Sequence, residues 1–129
     1  ETGEQQVTCV KLDSGNVQVV DTGIAKPNGI VLSNDQTTLA VSEYGGQHVW
    51  TFRVNPDGSL DAKMPTMSLR RAIDQQGEFR FNDAPPYKAT AQGDGAAVDR
   101  AGRFYVTSEL GVQVFDPTGR ACGLLPKPI

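Results

Sequence analysis

Two short oxygen-bearing side chains each stand immediately before a glycine, Asn28 before Gly29 and Asp94 before Gly95, and they are 66 positions apart. A carboxamide and a carboxylate in that setting can cap the entry to a strand through their own backbone. Brought together, they offer hard oxygen donors. With no His or Cys nearby, such donors favour Ca²⁺, Mg²⁺ or Mn²⁺ over softer metals. A second pair recurs at the same offset, Ser42-Glu43 and Ser108-Glu109, followed by Gly45 and Gly111. Serine beside glutamate invites a catalytic reading. A repeated pair at a strand end is better read as architecture that places hairpin turns and rim hydrogen bonds. His48, the only histidine, has no Ser or Cys partner at a recognisable spacing and reads as an exposed strand residue. Phosphate loops, nucleophile elbows and zinc motifs are absent from the sequence. Cys9 and Cys122, one near each end, are too few for a disulfide framework or a metal cluster. They read as half-buried core residues, with a bridge possible if the protein is secreted.

The elements that must position Asn28 and Asp94 are strands. Apolar, β-branched and aromatic residues alternate in short runs over residues 7–12, 17–20, 29–32, 39–42, 49–54, 96–98, 104–107 and 112–115, as half-buried strands require. Turn residues separate them: Asp13-Ser14-Gly15, Asn34-Asp35, Asn55-Pro56-Asp57-Gly58, Ala101-Gly102 and Asp116-Pro117-Thr118-Gly119. These supply glycine, or short polar side chains, where antiparallel hairpins need them. Trp50 and Phe52 alternate with polar positions and are expected to pack between layers. Residues 67–71 read as an outer strand. Residues 72–93 carry little periodicity and read as a long surface excursion, with a short helix around residues 70–73 as the alternative. Loops of that length within a compact domain are commonly functional or mobile.

The constant offset of 66 makes these strands a repeat. Both copies run strand, polar turn, strand, then a third strand closed by a matching turn. The offset exceeds the usual blade length by roughly the length of the excursion. Four antiparallel strands repeated radially form the blade of a β-propeller. Residues 5–24 then form two outer strands of one blade, residues 28–71 a complete blade and residues 94–126 another. The fold class expected is an all-β propeller fragment of about two and a half four-stranded blades with close to ten strands. Asn28 and Asp94 share a repeat position just before the innermost strand. Radial repetition therefore aims their oxygens at one axis.

The strings Lys26-Pro27-Asn28-Gly29-Ile30, Ser33-Asn34-Asp35 and Leu39-Ala40-Val41-Ser42 resemble a blade of the SMP-30/gluconolactonase/LRE family. Gly93-Asp94-Gly95, Val98-Asp99, Gly102-Arg103, Tyr105-Val106 and the run at residues 111–116 resemble the blade that follows it. The resemblance covers residues 5–129 in the correct order. It implies a six-bladed propeller with one divalent metal at the mouth of its channel, held by Glu, Asn, Asn and Asp. It places the second Asn on Asn28 and the Asp on Asp94, and makes Asp94 the general base as well. Zn²⁺ joins Ca²⁺, Mg²⁺ and Mn²⁺ by family precedent, with Ca²⁺ favoured. The family's Glu and first Asn fall upstream of this chain. Asn82-Asp83 superficially matches the missing Asn motif, but lies out of repeat register and reads as a loop turn.

Composition sets the remaining bounds. A net charge of −3 spread without a basic stripe argues against nucleic acid and acidic membranes as partners, and no apolar run approaches the length of a bilayer span. Glu1-Thr2-Gly3 reads as an expression scar left by a cleaved secretion leader, so residues 4–129 form the propeller portion. The scar describes the expression route more than the native compartment, for which a secreted or periplasmic location is favoured over a cytoplasmic one. Two functions stand side by side. One is a metal-dependent hydrolase of small sugar lactones, for which this chain carries part of the site. The other is a non-catalytic propeller module used for binding. Self-association, or further blades, is expected to close the ring.

Overall fold

A computed structural model describes residues 5–74 and 86–128. Ten strands form three antiparallel sheets, and no helix occurs among the described residues. Strands β1 (Val7–Val10) and β2 (Val17–Asp21) make a two-stranded sheet. Strands β3 (Pro27–Leu32), β4 (Thr38–Glu43), β5 (His48–Val54) and β6 (Leu60–Ser68) form a four-stranded meander. A second meander comprises β7 (Ala96–Val98), β8 (Phe104–Ser108), β9 (Gly111–Phe115) and β10 (Ala121–Pro126). These are the blade units that the repeat predicts, and the architecture is that of a propeller fragment.

Alternation along the strands divides the core into two layers. Ala40, Val49, Met67 and Leu69 face Phe104, Val106 and Phe115 across the seam between the four-stranded blades. On the opposite face of the first blade, Val41 and Phe52 pack with Val7 and Ile24, and Trp50 leans against this cluster. Trp50 and Phe52 thus pack between layers, as their alternation predicts. Lys63 reinforces this seam. Its Nζ lies 2.9 Å from the Asp21 carboxylate and 5.1 Å from the centre of the Trp50 ring.

Two expectations are corrected, and one alternative falls away. The outer strand runs over β6 and ends at Ser68, instead of beginning at Met67. Pro65 and a left-handed Ala62 (φ 52°) mask it in the sequence. Both are tolerated because the strand lies on the blade edge and its pairing with β5 is irregular. Residues 69–74 form no helix. Instead, Ile73 bridges Tyr87, and the Lys88 N–H donates to the Ala72 carbonyl, closing the base of the excursion. Cys9 and Cys122 are exposed free thiols, not half-buried core residues. They sit on β1 and β10, sheet-edge strands whose residues are exposed at nearly every position. Asn82-Asp83 lies outside the described residues.

Candidate functional site

The inner strands β3 and β7 meet at the positions that sequence singles out. Pairing of β3 with β4 slips between Pro27 and Ile30, so Asn28 and Gly29 together oppose Ser42. Such a bulge turns a side chain away from the regular pleat and frees a backbone N–H from the ladder. Here the freed Gly29 N–H donates to Ser42 Oγ at 2.7 Å, and Ser42 Oγ donates in turn to the Asp94 carbonyl at 2.5 Å. In the next blade the Asp94 N–H donates to the Thr107 carbonyl, while the Thr107 N–H donates to the Gly95 carbonyl. Asp94 and Gly95 therefore share one partner residue, as Asn28 and Gly29 do.

The contact between the two strands is close. A Cβ on Gly29 would stand 2.1 Å from the Asp94 carbonyl oxygen and 2.9 Å from the Ala96 nitrogen. Gly93 is similarly constrained, its missing Cβ replaced by Leu69 Cδ1 at 2.8 Å. The chain enters both inner strands through the same unusual backbone. Lys26 (φ 51°) and Gln92 (φ 56°), each two residues before its candidate ligand, adopt the left-handed conformation without being glycine. This conformation is disfavoured for side chains with a Cβ, and it recurs at repeat-equivalent positions where the chain enters the two inner strands. Nothing in the residue types of Lys26 or Gln92 signals it.

Asn28 and Asp94 are both exposed. Among the described residues, neither side chain has a hydrogen-bond or ion-pair partner. Each is thus a short, unengaged oxygen donor at the end of an inner strand, and the two strands meet where Gly29 abuts the Asp94 backbone. The donor chemistry fits a hard divalent cation. Asp94 has its backbone N–H and C=O satisfied internally, which leaves its carboxylate as the group offered outward. Among the described residues, no three His, Cys, Asp or Glu side chains gather into a metal-binding group.

The serine–glutamate pairs are architectural. Ser42 is fully buried. Glu43 accepts the Ala25 N–H through Oε2 at 3.1 Å and fills the space over Gly46. Ser108 Oγ donates to the Gly111 carbonyl and accepts from Gln113 Nε2, within its own blade. Gln113 also brackets Arg70 of the preceding blade, accepting its N–H at 2.7 Å and donating to its carbonyl at 3.0 Å. Glu109 pairs with Lys88 at the base of the excursion. At the far end of the same seam, Asn34 Nδ2 donates to the Asp99 carbonyl at 2.8 Å. His48 is half-buried, its Nδ1 3.2 Å from Ser68 Oγ and its ring edge-on to Trp50. A cleft of about 730 Å³ lined by Gln47, Arg70, Ile73, Tyr87 and Leu124 lies between the outer strands, away from both candidate ligands.

Comparison with known proteins agrees with this architecture. The chain resembles a gluconolactonase of Zymomonas mobilis subsp. mobilis (strain ATCC 31821 / ZM4 / CP4), with 24% identity over 113 residues that cover 86% of this chain and 29% of that protein. Among solved structures it superposes on a Xanthomonas campestris gluconolactonase described as important in glucose secondary metabolic pathways. There the TM-score is 0.72 and the identity 28%, over 99% of this chain and 36% of that one. The fold is also that of a luciferin-regenerating enzyme, with a TM-score of 0.70, 18% identity, and coverage of 95% of this chain and 36% of that one. The chain therefore spans about a third of the length of these relatives. The model of the SMP-30/gluconolactonase/LRE-like region matches residues 1–128. With the blade repeat, the order of its motifs and the match over nearly all its length in agreement, this chain belongs to the SMP-30/gluconolactonase/LRE-like family.

Proposed function

We propose that this chain contributes Asn28 and Asp94 to the site of a metal-dependent hydrolase of small sugar lactones. The observation that supports the reading is the meeting of β3 and β7, where Gly29, next to Asn28, abuts the Asp94 backbone, while neither the Asn28 nor the Asp94 side chain has a partner among the described residues. Asn28 offers its carboxamide oxygen to the cation, and Asp94 its carboxylate; Ca²⁺ is the favoured occupant. When bound, the cation supplies Lewis-acid stabilisation for negative charge developing on the lactone carbonyl. Asp94 takes the proton of the attacking water, so that addition to the carbonyl carbon and loss of the proton proceed together. The ring ester bond then breaks, the leaving alkoxide oxygen takes the proton back from Asp94, and the product is the open-chain hydroxy acid. Two donors from one chain hold a cation weakly, so further ligands come from other blades of the propeller.

Hydrolysis of glucono-δ-lactone by the complete propeller, followed with Ca²⁺, Mn²⁺ or Zn²⁺ added after chelation, tests this. Turnover that disappears on chelation and returns with metal supports it. Turnover indifferent to chelation overturns the metal role. A second reading, a non-catalytic propeller module, is favoured by the lack of a fuller acidic or histidine cluster among the described residues. It predicts no hydrolysis with any of these ions.

A further inference from the structure

We infer that Ser42 is a positioning residue for the candidate cation site, its hydroxyl fixing the separation of Asn28 and Asp94 across the blade seam. The inference rests on the reading of those two residues as ligands. A serine hydroxyl carries one hydrogen and can accept as well. In Ser42 the hydrogen goes to the Asp94 carbonyl at 2.5 Å, since the alternative Gly29 carbonyl lies 3.5 Å away. The oxygen meanwhile accepts the Gly29 N–H. One buried atom thus joins the residue after Asn28 to Asp94 itself. Its bond from the Gly29 N–H replaces, within the blade, the ladder hydrogen bond lost at the bulge, and its bond to the Asp94 carbonyl reaches the next blade.

Ser108 supplies an internal comparison. It occupies the same place in the repeat, 66 residues on, yet its hydroxyl serves only its own blade. The register explains the difference. Leu32 pairs with Leu39 in the first blade, whereas Val98 pairs with Phe104 in the second, so the second turn is one residue shorter. Thr107 therefore takes the position opposite the inner-strand bulge, and Ser108 lies beyond it. The same residue type at the same repeat position has one role that reaches the site and one that does not.

Titration calorimetry with Ca²⁺ or Mn²⁺ on the complete propeller tests the inference without recourse to turnover. Groups that orient ligands commonly change metal affinity by about 10- to 100-fold when removed. Ser42→Ala is expected to weaken cation binding by at least about tenfold on that scale, Ser42→Thr, which keeps the hydroxyl, to restore it, and Ser108→Ala to leave it unchanged. Where Ser42→Ala does not fold, the threonine variant carries the test, and binding lost there overturns the hydroxyl's role. Equal weakening by Ser42→Ala and Ser108→Ala overturns the inference in favour of general loosening of the blades. Asp94→Ala separates the two levels. If it abolishes binding while Ser42→Ala binds normally, only the positioning role fails. If Asp94→Ala itself binds normally, the ligand reading fails.

Discussion

Gly29 and Asp94 belong to different blades, yet a Cβ at position 29 would stand 2.1 Å from the Asp94 carbonyl oxygen. No side chain fits between them, and the neighbour on that side is backbone, which cannot rotate away. Gly29→Ala must therefore move one inner strand relative to the other. Overpacking of this kind costs about 1–3 kcal/mol, and here it also breaks the Ser42 link. Urea denaturation should show a lower midpoint. Gly95→Ala is the control, because its added Cβ would meet only Thr107 Oγ1 at 3.6 Å. An equal loss in both variants would count against the seam as the cause.

The exposed Asp94 carboxylate is a group whose removal should cost chemistry far more than stability. Asp94→Ala is expected to leave the denaturation midpoint of the complete enzyme near that of the parent. Lactone turnover should fall by at least the factor of about 10²–10⁴ typical of general-base catalysis. Unchanged turnover would remove Asp94 from the mechanism.

The strand framework around this candidate site was largely legible in the sequence, and what was not has identifiable causes. Asn28 and Asp94 could be paired because a radial repeat carries equal positions to equal places, and both lie before a glycine. The different roles of the two serines could not be judged, since a turn shortened by one residue shifts what each opposes without disturbing the offset of 66. Burial of Cys9 and Cys122 was misjudged for a related reason. Alternation marks Cys9 and Cys122 as strand residues, but does not show that β1 and β10 are edge strands exposed at nearly every position. The β6 strand was hidden by Pro65 and Ala62, whose irregular backbone is tolerated only because the strand is at an edge.

Asp99 gives a pH dependence with a definite sign. Partial desolvation acts to raise its carboxyl. That effect is outweighed by hydrogen bonds from the Arg103 N–H, the Arg103 guanidinium at 2.7 Å and the Tyr105 hydroxyl at 2.9 Å, which hold it at about 2 against an ordinary 3.8. Between those values the unfolded chain keeps the proton and the folded chain does not, so stability rises with pH there. The contribution is fully present above the unfolded value and is lost as pH falls through about 2. Asp35, Asp57 and Asp116 are also lowered, chiefly by neighbouring hydroxyls, so the parent should lose stability throughout this acid range. Asp99→Asn should lose less between pH 4 and pH 2, read as a smaller drop in urea midpoint. An identical drop in both would show that the Arg103–Tyr105 cluster does not carry this effect.

The last prediction concerns the open faces of the fragment. Packing in a propeller buries each blade against its neighbours, and closure of the ring removes exposed faces and edges. On the two-stranded sheet, Val10, Val17 and Val19 are 50%, 66% and 44% exposed, and Leu12 beside them is 97% exposed. At the opposite end of the chain, Leu124 and Leu125 on β10 are 40% and 58% exposed. Val17 and Val19 alternate with the partly buried Val20, and Val10 pairs with Val17, so these three face away from the first core layer, as residues awaiting a neighbour do. Grouped apolar surface of this sort is seldom left in water by a stable monomer. The chain on its own is therefore expected to associate, with light scattering at micromolar concentration giving a mass above the 13.8 kDa of one copy. Val17→Lys with Val19→Lys should reduce that mass by placing charge on the open face while leaving the buried layers intact. A compact, cooperatively unfolding species at the monomer mass, formed by the unsubstituted chain, would refute this account of the open faces.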